Sequence, residues 1–249
     1  MSDAWMSGIS QLRSAADGGR LGGGAPRVVW QSLDADPRIV SARSAAQRII
    51  ELGCASHLVW NPLTGDIVQL IPIVRAACSL GSPAGLPPTC PPGPEQAVTI
   101  PRPAELAATA RGEVFLARVN TEGRLCVQIA VVAHAWEPFT AGSLAGREAI
   151  MHWLDSWQIP RSWPAGQPSA FPHGVAAARS RRLWAHGGHF GASQVPGSLA
   201  AGPGALDIER LTSATARPAP SERASRHRDD LAEIFSSRLE AHAPLSRAG

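Results

Sequence analysis

The amino-acid sequence predicts an α/β fold, a single domain in which helices flank a mixed central β-sheet. Two observations support this prediction. Short apolar strands alternate with segments of helical periodicity, and the strand predicted at 125–133 is apolar at nearly every position. Such a strand is covered on both faces, as in the middle of an α/β sheet. The 249 residues, 44% of them hydrophobic, are enough to bury a sizeable core.

The first elements of the domain follow a flexible lead, predicted for residues 1–25, which contains a short weak helix at 9–16. Residues 27–33 form the first predicted strand. Residues 41–52 have apolar positions at helical spacing, and Gly53 closes this helix in the manner typical of C-caps. The apolar face of the helix is therefore expected to pack on the sheet.

A hairpin and a long insertion come next. The strands predicted at 57–60 and 66–71 are joined by a turn at 61–65, in which a glycine supplies the unusual dihedral angles. The Pro-rich segment 79–112 is predicted to be an extended insertion over the surface. After the central strand, residues 143–158 show one apolar and one charged face, which indicates a helix on the sheet.

The last third of the domain is rich in Gly and Pro. Residues 184–204 are therefore predicted to form a loop, feeding a short helix at 205–211. The domain is expected to span residues 26–212. Residues 213–249 are predicted to form a linker, a short amphipathic helix at 229–241 and a tail.

Composition excludes several classes of function. The 23 basic residues are all Arg, and the net charge of +3 comes without a basic patch interleaved with aromatics, so no nucleic-acid partner is expected. No apolar run is long enough to predict a membrane span. The four cysteines lack the spacing of a metal site and are interpreted as incidental thiols. The N-terminus shows no signal peptide, which predicts a cytoplasmic protein that leaves the cell only by lysis or non-classical export.

Two short motifs carry a family resemblance. Residues 191–197 read Gly-Ala-Ser-Gln-Val-Pro-Gly, and residues 202–208 read Gly-Pro-Gly-Ala-Leu-Asp-Ile. They resemble the late motif of the zinc-dependent N-acetylmuramoyl-L-alanine amidases, the superfamily that includes the peptidoglycan-recognition proteins. The hairpin at 57–71 is also similar to that superfamily. In the family motif, a His at the position of Ala192 and an Asp at the position of Gly202 bind zinc.

The resemblance implies a degenerate member of that family. The first zinc ligand of the family is a His at the end of the first strand, where this chain has Trp30 or Gln31; we assign the position to Gln31. A zinc hydrolase needs three protein ligands and an open position for water, and Gln31, Ala192 and Gly202 provide none. The chain also has no Tyr or Lys, and Gln128 stands where a Glu is expected. We therefore expect no catalytic residues and no cofactor.

The implied function is binding of a muropeptide or another peptidoglycan fragment without hydrolysis. An aromatic ring at the first strand end either stacks on a sugar or plugs a vacant metal cavity. The residues expected to line the ligand-binding groove are Trp30, Gln31, His57, Gln128, His189, Ser193 and Gln194.

Two alternatives remain open from the sequence. One is an active zinc N-acetylmuramoyl-L-alanine amidase, for example a phage endolysin, whose zinc is held in a rearranged site by His57, His186 and His189. The other is a scaffold or assembly protein that keeps the fold and binds no ligand. The oligomeric state and the role of the helix at 229–241 are not predicted.

Overall fold

The chain divides into a compact unit, Met1–Ser213, and a second unit, Ala214–Gly249. A computed structural model describes residues 3–53, 55–81, 119–135, 137–170, 180–198 and 202–214. Most of the predicted Pro-rich insertion at 79–112, the linker after 214 and the predicted helix at 229–241 lie outside the described residues.

Six strands form one mixed sheet in the order β1-β4-β3-β5-β2-β6. Their bounds are β1 Ser10–Gln11, β2 Arg27–Ser32, β3 Leu58–Trp60, β4 Ile67–Gln69, β5 Cys126–Val131 and β6 Gly188–Gly191. Neighbouring strands are parallel except β3 and β4, which form the predicted antiparallel hairpin. Every residue of β5 is buried, as predicted for a central strand. The predicted α/β class with a mixed sheet is therefore confirmed.

Helices cover both faces of the sheet. They are α1 Ala42–Glu51, α2 Arg147–Ser156, α3 Arg181–Ala185 and α4 Ile208–Thr212. Helix α1 begins where the Ser41 side chain accepts a hydrogen bond from the Ser44 amide, a typical N-cap. None of the described helices combines the length and apolar character that crossing a bilayer requires.

The alternation of side chains along β2 separates two cores. Val28 and Trp30 belong to the cluster that packs against α2 and α4. Val29 points to the opposite face, into a cluster with Trp184 of α3. Because side chains alternate along a strand, Ser32 shares the face of Trp30, whereas Gln31 shares the face of Val29. The alternation along β2 therefore determines which of the predicted site residues lie on the same face of the sheet.

The N-terminal lead differs from its prediction. Residues 9–16 are not helical; Ser10–Gln11 forms an edge strand that pairs in parallel with β4. Met6 is buried, and its amide donates to Gln69 Oε1 at 2.7 Å. The prediction of a helix was wrong because the intrinsic helix preference of this short segment is weaker than backbone pairing with an open sheet edge.

The Gly-rich segment 184–204 also differs, since part of it is a strand rather than a loop. Gly188–Gly191 is buried throughout and pairs in parallel with β2. A Cβ added to Gly188 would stand 2.5 Å from the Ser162 carbonyl oxygen, and one added to Gly191 would stand 2.9 Å from Pro203 Cδ. The glycines thus permit close packing on an edge strand, a role that a count of turn-forming residues does not distinguish from a loop.

Candidate functional site

The two late motif positions, Ala192 and Gly202, lie near the carboxyl end of β2. A Cβ added to Gly202 would stand 2.5 Å from Ser32 Oγ. The Gly202 carbonyl oxygen accepts a hydrogen bond from the Ser193 amide at 2.8 Å. Ala192, the residue before Ser193, opens the turn Ala192–Gln194 directly after β6, and this turn contacts β2. The end of the first strand and both later motif positions therefore lie together.

The strand residue at this meeting point is Ser32 and not Gln31, which corrects the predicted assignment. Gln31 lies on the other face of β2, where its Nε2 donates to Ser79 Oγ. The physical reason is the two-residue period of the strand, which turns neighbouring side chains to opposite faces. The sequence predicts Trp30 or Gln31 at this position. Only the register of β2 in the structure shows that Ser32 is the residue beside Gly202.

The side chains at this point do not fit zinc. Zinc in proteins is bound by imidazole, thiolate or carboxylate groups, whereas Ser32, Ala192 and Gly202 offer a hydroxyl, a methyl and a hydrogen. A carboxylate at position 202 would also displace the Ser32 hydroxyl, which already occupies that space. Across the described part of the chain, no group of three or more His, Cys, Asp or Glu side chains is placed to hold a metal ion.

His189 lies fully buried beneath this point, between two indole rings. Its ring is stacked on Trp163 with centroids 6.1 Å apart and lies beside the Trp30 ring with centroids 5.9 Å apart. Trp30 Nε1 donates to His189 Nδ1 at 3.0 Å, so the imidazole proton resides on Nε2. That Nε2 finds no hydrogen-bond partner within the described residues. Burial lowers the pKa of His189 to about 3, so the ring is neutral at pH 7.

Gln194 holds this stack in place. Its Oε1 accepts from Trp163 Nε1 at 2.7 Å and from the Gly191 amide at 3.0 Å. Its Nε2 donates to the Gly166 carbonyl oxygen at 2.8 Å. Gln194 and Ser193 are both buried. The hydrogen bonds of Gln194 thus position Trp163 over His189 and leave no exposed amide for a ligand.

His57 lies elsewhere in the sheet. The Gln128 amide donates to His57 Nδ1 at 3.0 Å, and Nε2 donates to the Arg75 carbonyl oxygen at 2.9 Å. Burial lowers the pKa of His57 to about 4, so this ring is also neutral at pH 7. With both nitrogens engaged, His57 is a hydrogen-bonded interior residue.

The rearranged zinc set of His57, His186 and His189 is not brought together. His57 precedes β3, and His189 is on β6, with β5 and β2 between them. At roughly 4.8 Å per strand, this places the two residues about 14 Å apart across the sheet. His186 is exposed at the end of α3. A common zinc ion is therefore out of reach of this set.

A chain of buried polar side chains joins β2 to β5 on the face opposite His189. Ser79 Oγ accepts from Gln31 and donates to Gln128 Oε1. Gln128 Nε2 donates in turn to Asn120 Oδ1 at 2.7 Å. Gln31 and Gln128 are therefore partners in an internal network, which explains two buried amides that the sequence assigned to a groove.

Two cavities lie at the carboxyl ends of the parallel strands, and the buried residues predicted to form a groove do not line them. A cavity of about 150 Å³ is lined by residues that follow β2, β3 and β5, among them Asp36, His134 and Glu137. A second cavity of about 690 Å³ is lined by Thr140, Gln167 and the segment 205–210. Pro138 lines both cavities, so they adjoin. We call the two together the edge groove.

The place of the edge groove follows from topology. After β2 the chain enters α1 on one face, and after β5 it enters α2 on the other. In open α/β sheets, ligands bind outside the carboxyl ends of neighbouring strands whose connections diverge in this way. Asp34 lies here with φ 50°, a left-handed conformation rare for a non-glycine residue, and its Oδ1 accepts from the Ala135 amide at 3.2 Å. Sequence spacing alone gave no signal for His134 or Glu137.

Comparisons with known proteins provide one likeness. A solved structure of the hydrolase AmiA from Staphylococcus aureus, in complex with its ligand, is similar to this chain with a TM-score of 0.41 and 10% sequence identity. The match covers 84% of this chain and 82% of that chain. No family model matches the chain, and no curated protein matches it.

Proposed function

We propose that this protein binds a muropeptide or a related peptidoglycan fragment without hydrolysing it, as a degenerate member of the zinc amidases that its motifs resemble. The observation that carries the proposal is the meeting of Ser32, Ala192 and Gly202. Gly202 lies against Ser32, and Ala192 opens a turn that contacts β2, which supports the interpretation that the two late motif positions border the end of the first predicted strand. The side chains there are unable to form a zinc site.

The binding surface in this proposal is the edge groove. Its larger cavity, at about 690 Å³, is within the size range typical of small-molecule sites. Its lining mixes apolar contacts such as Ala141 and Leu206 with hydrogen-bonding groups such as Glu209, which suits a ligand made of amides and hydroxyls. The segment 205–210 overlaps the second motif at 202–208, so the groove includes residues that carry the resemblance.

The first test is calorimetric titration with a soluble muropeptide. Ala141 is exposed on the turn Phe139–Ala141 and lines the groove, so Ala141→Trp is expected to fill it and to weaken binding more than tenfold. Ala15→Trp, at an exposed position away from the groove, is the matched control and should bind as the unmodified chain does. Equal affinity in both variants, or release of free amine from peptidoglycan, would contradict the proposal.

The degenerate zinc site has its own test. The triple variant Ser32→His, Ala192→His, Gly202→Asp restores the ligand types of the family at the three positions that meet. We expect it to bind about one zinc ion per chain, measured by elemental analysis after dialysis. The matched control places the first His at 31, on the opposite face, and should bind none. A folded triple variant that takes up no more zinc than this control would count against the family assignment.

A second candidate function is a scaffold without a ligand. The observation that favours it is Trp30, which is fully buried and packs with Trp60 and Phe139 in the core. Trp30 therefore fills the interior and is not available to stack on a sugar. A scaffold predicts no retention of the chain on insoluble peptidoglycan, whereas the binding proposal predicts retention that soluble muropeptide competes away.

A further inference from the structure

Arg27 is a buried cation for which the described part of the chain provides no ion-pair partner. The residue is only 4% exposed at the start of β2. Its Nε and Nη1 groups are buried and have no hydrogen-bond partner among the residues that the structure describes. The guanidinium lies over the Trp184 ring, 4.5 Å from the centroid. The ring attracts the charge but accepts none of these in-plane hydrogen bonds.

The neighbouring groups do not neutralise Arg27. Glu122 is the carboxylate with an electrostatic effect on it, yet both Glu122 oxygens are engaged. Arg181 donates to them at 2.9–3.1 Å, and Trp184 Nε1 donates to Oε2 at 2.6 Å. Cys126, paired with Arg27 across β2 and β5, remains a neutral thiol because burial raises its pKa to about 12. Arg27, Arg181 and Glu122 together keep a net charge of +1.

The geometry points to an anion-binding site at Arg27, taking a small oxyanion such as phosphate or the carboxylate of a peptide. Buried donors on a charged group are satisfied in almost all proteins, and an oxyanion supplies both the missing charge and the missing acceptors. The guanidinium suits this role because it stays charged when desolvated. The site lies at the amino end of β2, whereas the edge groove lies beyond the carboxyl end, so it is independent of the proposed function.

The test compares anions at one ionic strength. We expect millimolar sodium phosphate or sodium acetate to raise the Tm of the full chain by several degrees over sodium chloride. A rise with phosphate alone identifies a phosphate-type oxyanion, and a rise with acetate alone or with both identifies carboxylate recognition. Equal Tm values in all three salts would overturn the proposal and leave Arg27 as a cation held by Trp184 alone.

Two variants test whether the anion binds at Arg27, and they are expected to change its binding in opposite directions. Arg27→Met, which keeps the length of the side chain, should abolish the anion-dependent rise. Glu122→Gln removes a competing negative charge and should tighten the binding of the effective anion several-fold in a titration, which keeps the proposal testable if Arg27→Met does not fold. Arg48→Gln, on the exposed surface of α1, is the control and should respond as the unmodified chain does. An unchanged anion affinity in Glu122→Gln would contradict the assignment.

Discussion

The two buried histidines, His57 and His189, make the free energy of unfolding depend on pH. Burial lowers the pKa of His57 to about 4 and that of His189 to about 3, from 6.5. The unfolded chain therefore binds protons first as pH falls, and the free energy of unfolding decreases from pH 6.5 down to those folded-state values. When the pH is lowered from 7.5 to 5, each of these two histidines is expected to lower the free energy of unfolding by about 2 kcal/mol, as measured by urea denaturation. His189→Phe should flatten this slope by about half.

Ser79 is a second residue with a large expected effect. Its hydroxyl accepts from Gln31 and donates to Gln128 inside the sheet. Ser79→Ala leaves Gln31 Nε2 without its acceptor, whereas Gln128 Oε1 still accepts from the backbone amide of residue 79, so we expect a loss of about 1–3 kcal/mol in the free energy of unfolding. Ser44→Ala, on exposed α1, should cost less than about 1 kcal/mol. Comparable losses in the two variants would show that the internal network contributes nothing to stability.

At the scale of elements, β1 protects the edge of β4. Deleting residues 1–12 removes the strand Ser10–Gln11 and the bond from Met6 to Gln69. We expect a loss of several kcal/mol and a tendency to aggregate, since an apolar edge strand becomes exposed. The matched control, Ser10→Ala with Gln11→Ala, changes exposed side chains and keeps the backbone pairing. A truncated chain as stable as this control would show that the lead is dispensable.

The sequence predicted those elements whose signals are local. The helix after Ser41, the hairpin and the apolar central strand each appear in the structure near their predicted places. The strands β1 and β6 were missed because pairing with a neighbour far along the chain determines them. The same limit applies to the site: positions 192 and 202 lie near the end of β2, but only the register of β2 places Ser32, and not Gln31, beside Gly202. The burial of Gln31, Gln128 and Gln194 depends on hydrogen-bond partners that the spacing of residues in the sequence does not identify.

At the scale of the whole molecule, binding at the edge groove is expected to stabilise the fold. A ligand that binds only the folded chain raises the free energy of unfolding by about 2.7 kcal/mol at one hundred times its Kd. Urea denaturation with and without muropeptide should show this gain. The gain should be smaller by about 1.3 kcal/mol or more in Ala141→Trp, where the Kd is more than tenfold higher, and unchanged in Ala15→Trp. An undiminished gain in Ala141→Trp would place the ligand outside the groove.

The contacts of His189 with Trp30 and Trp163 also provide an internal fluorescence probe. The chain contains eight Trp and no Tyr, so its ultraviolet emission arises from indole alone. A protonated imidazole quenches an indole in contact with it, whereas a neutral one does so weakly. The emission of Trp30 and Trp163 should therefore hold constant in mild acid, and any dimming that His189→Phe removes would report earlier protonation of His189.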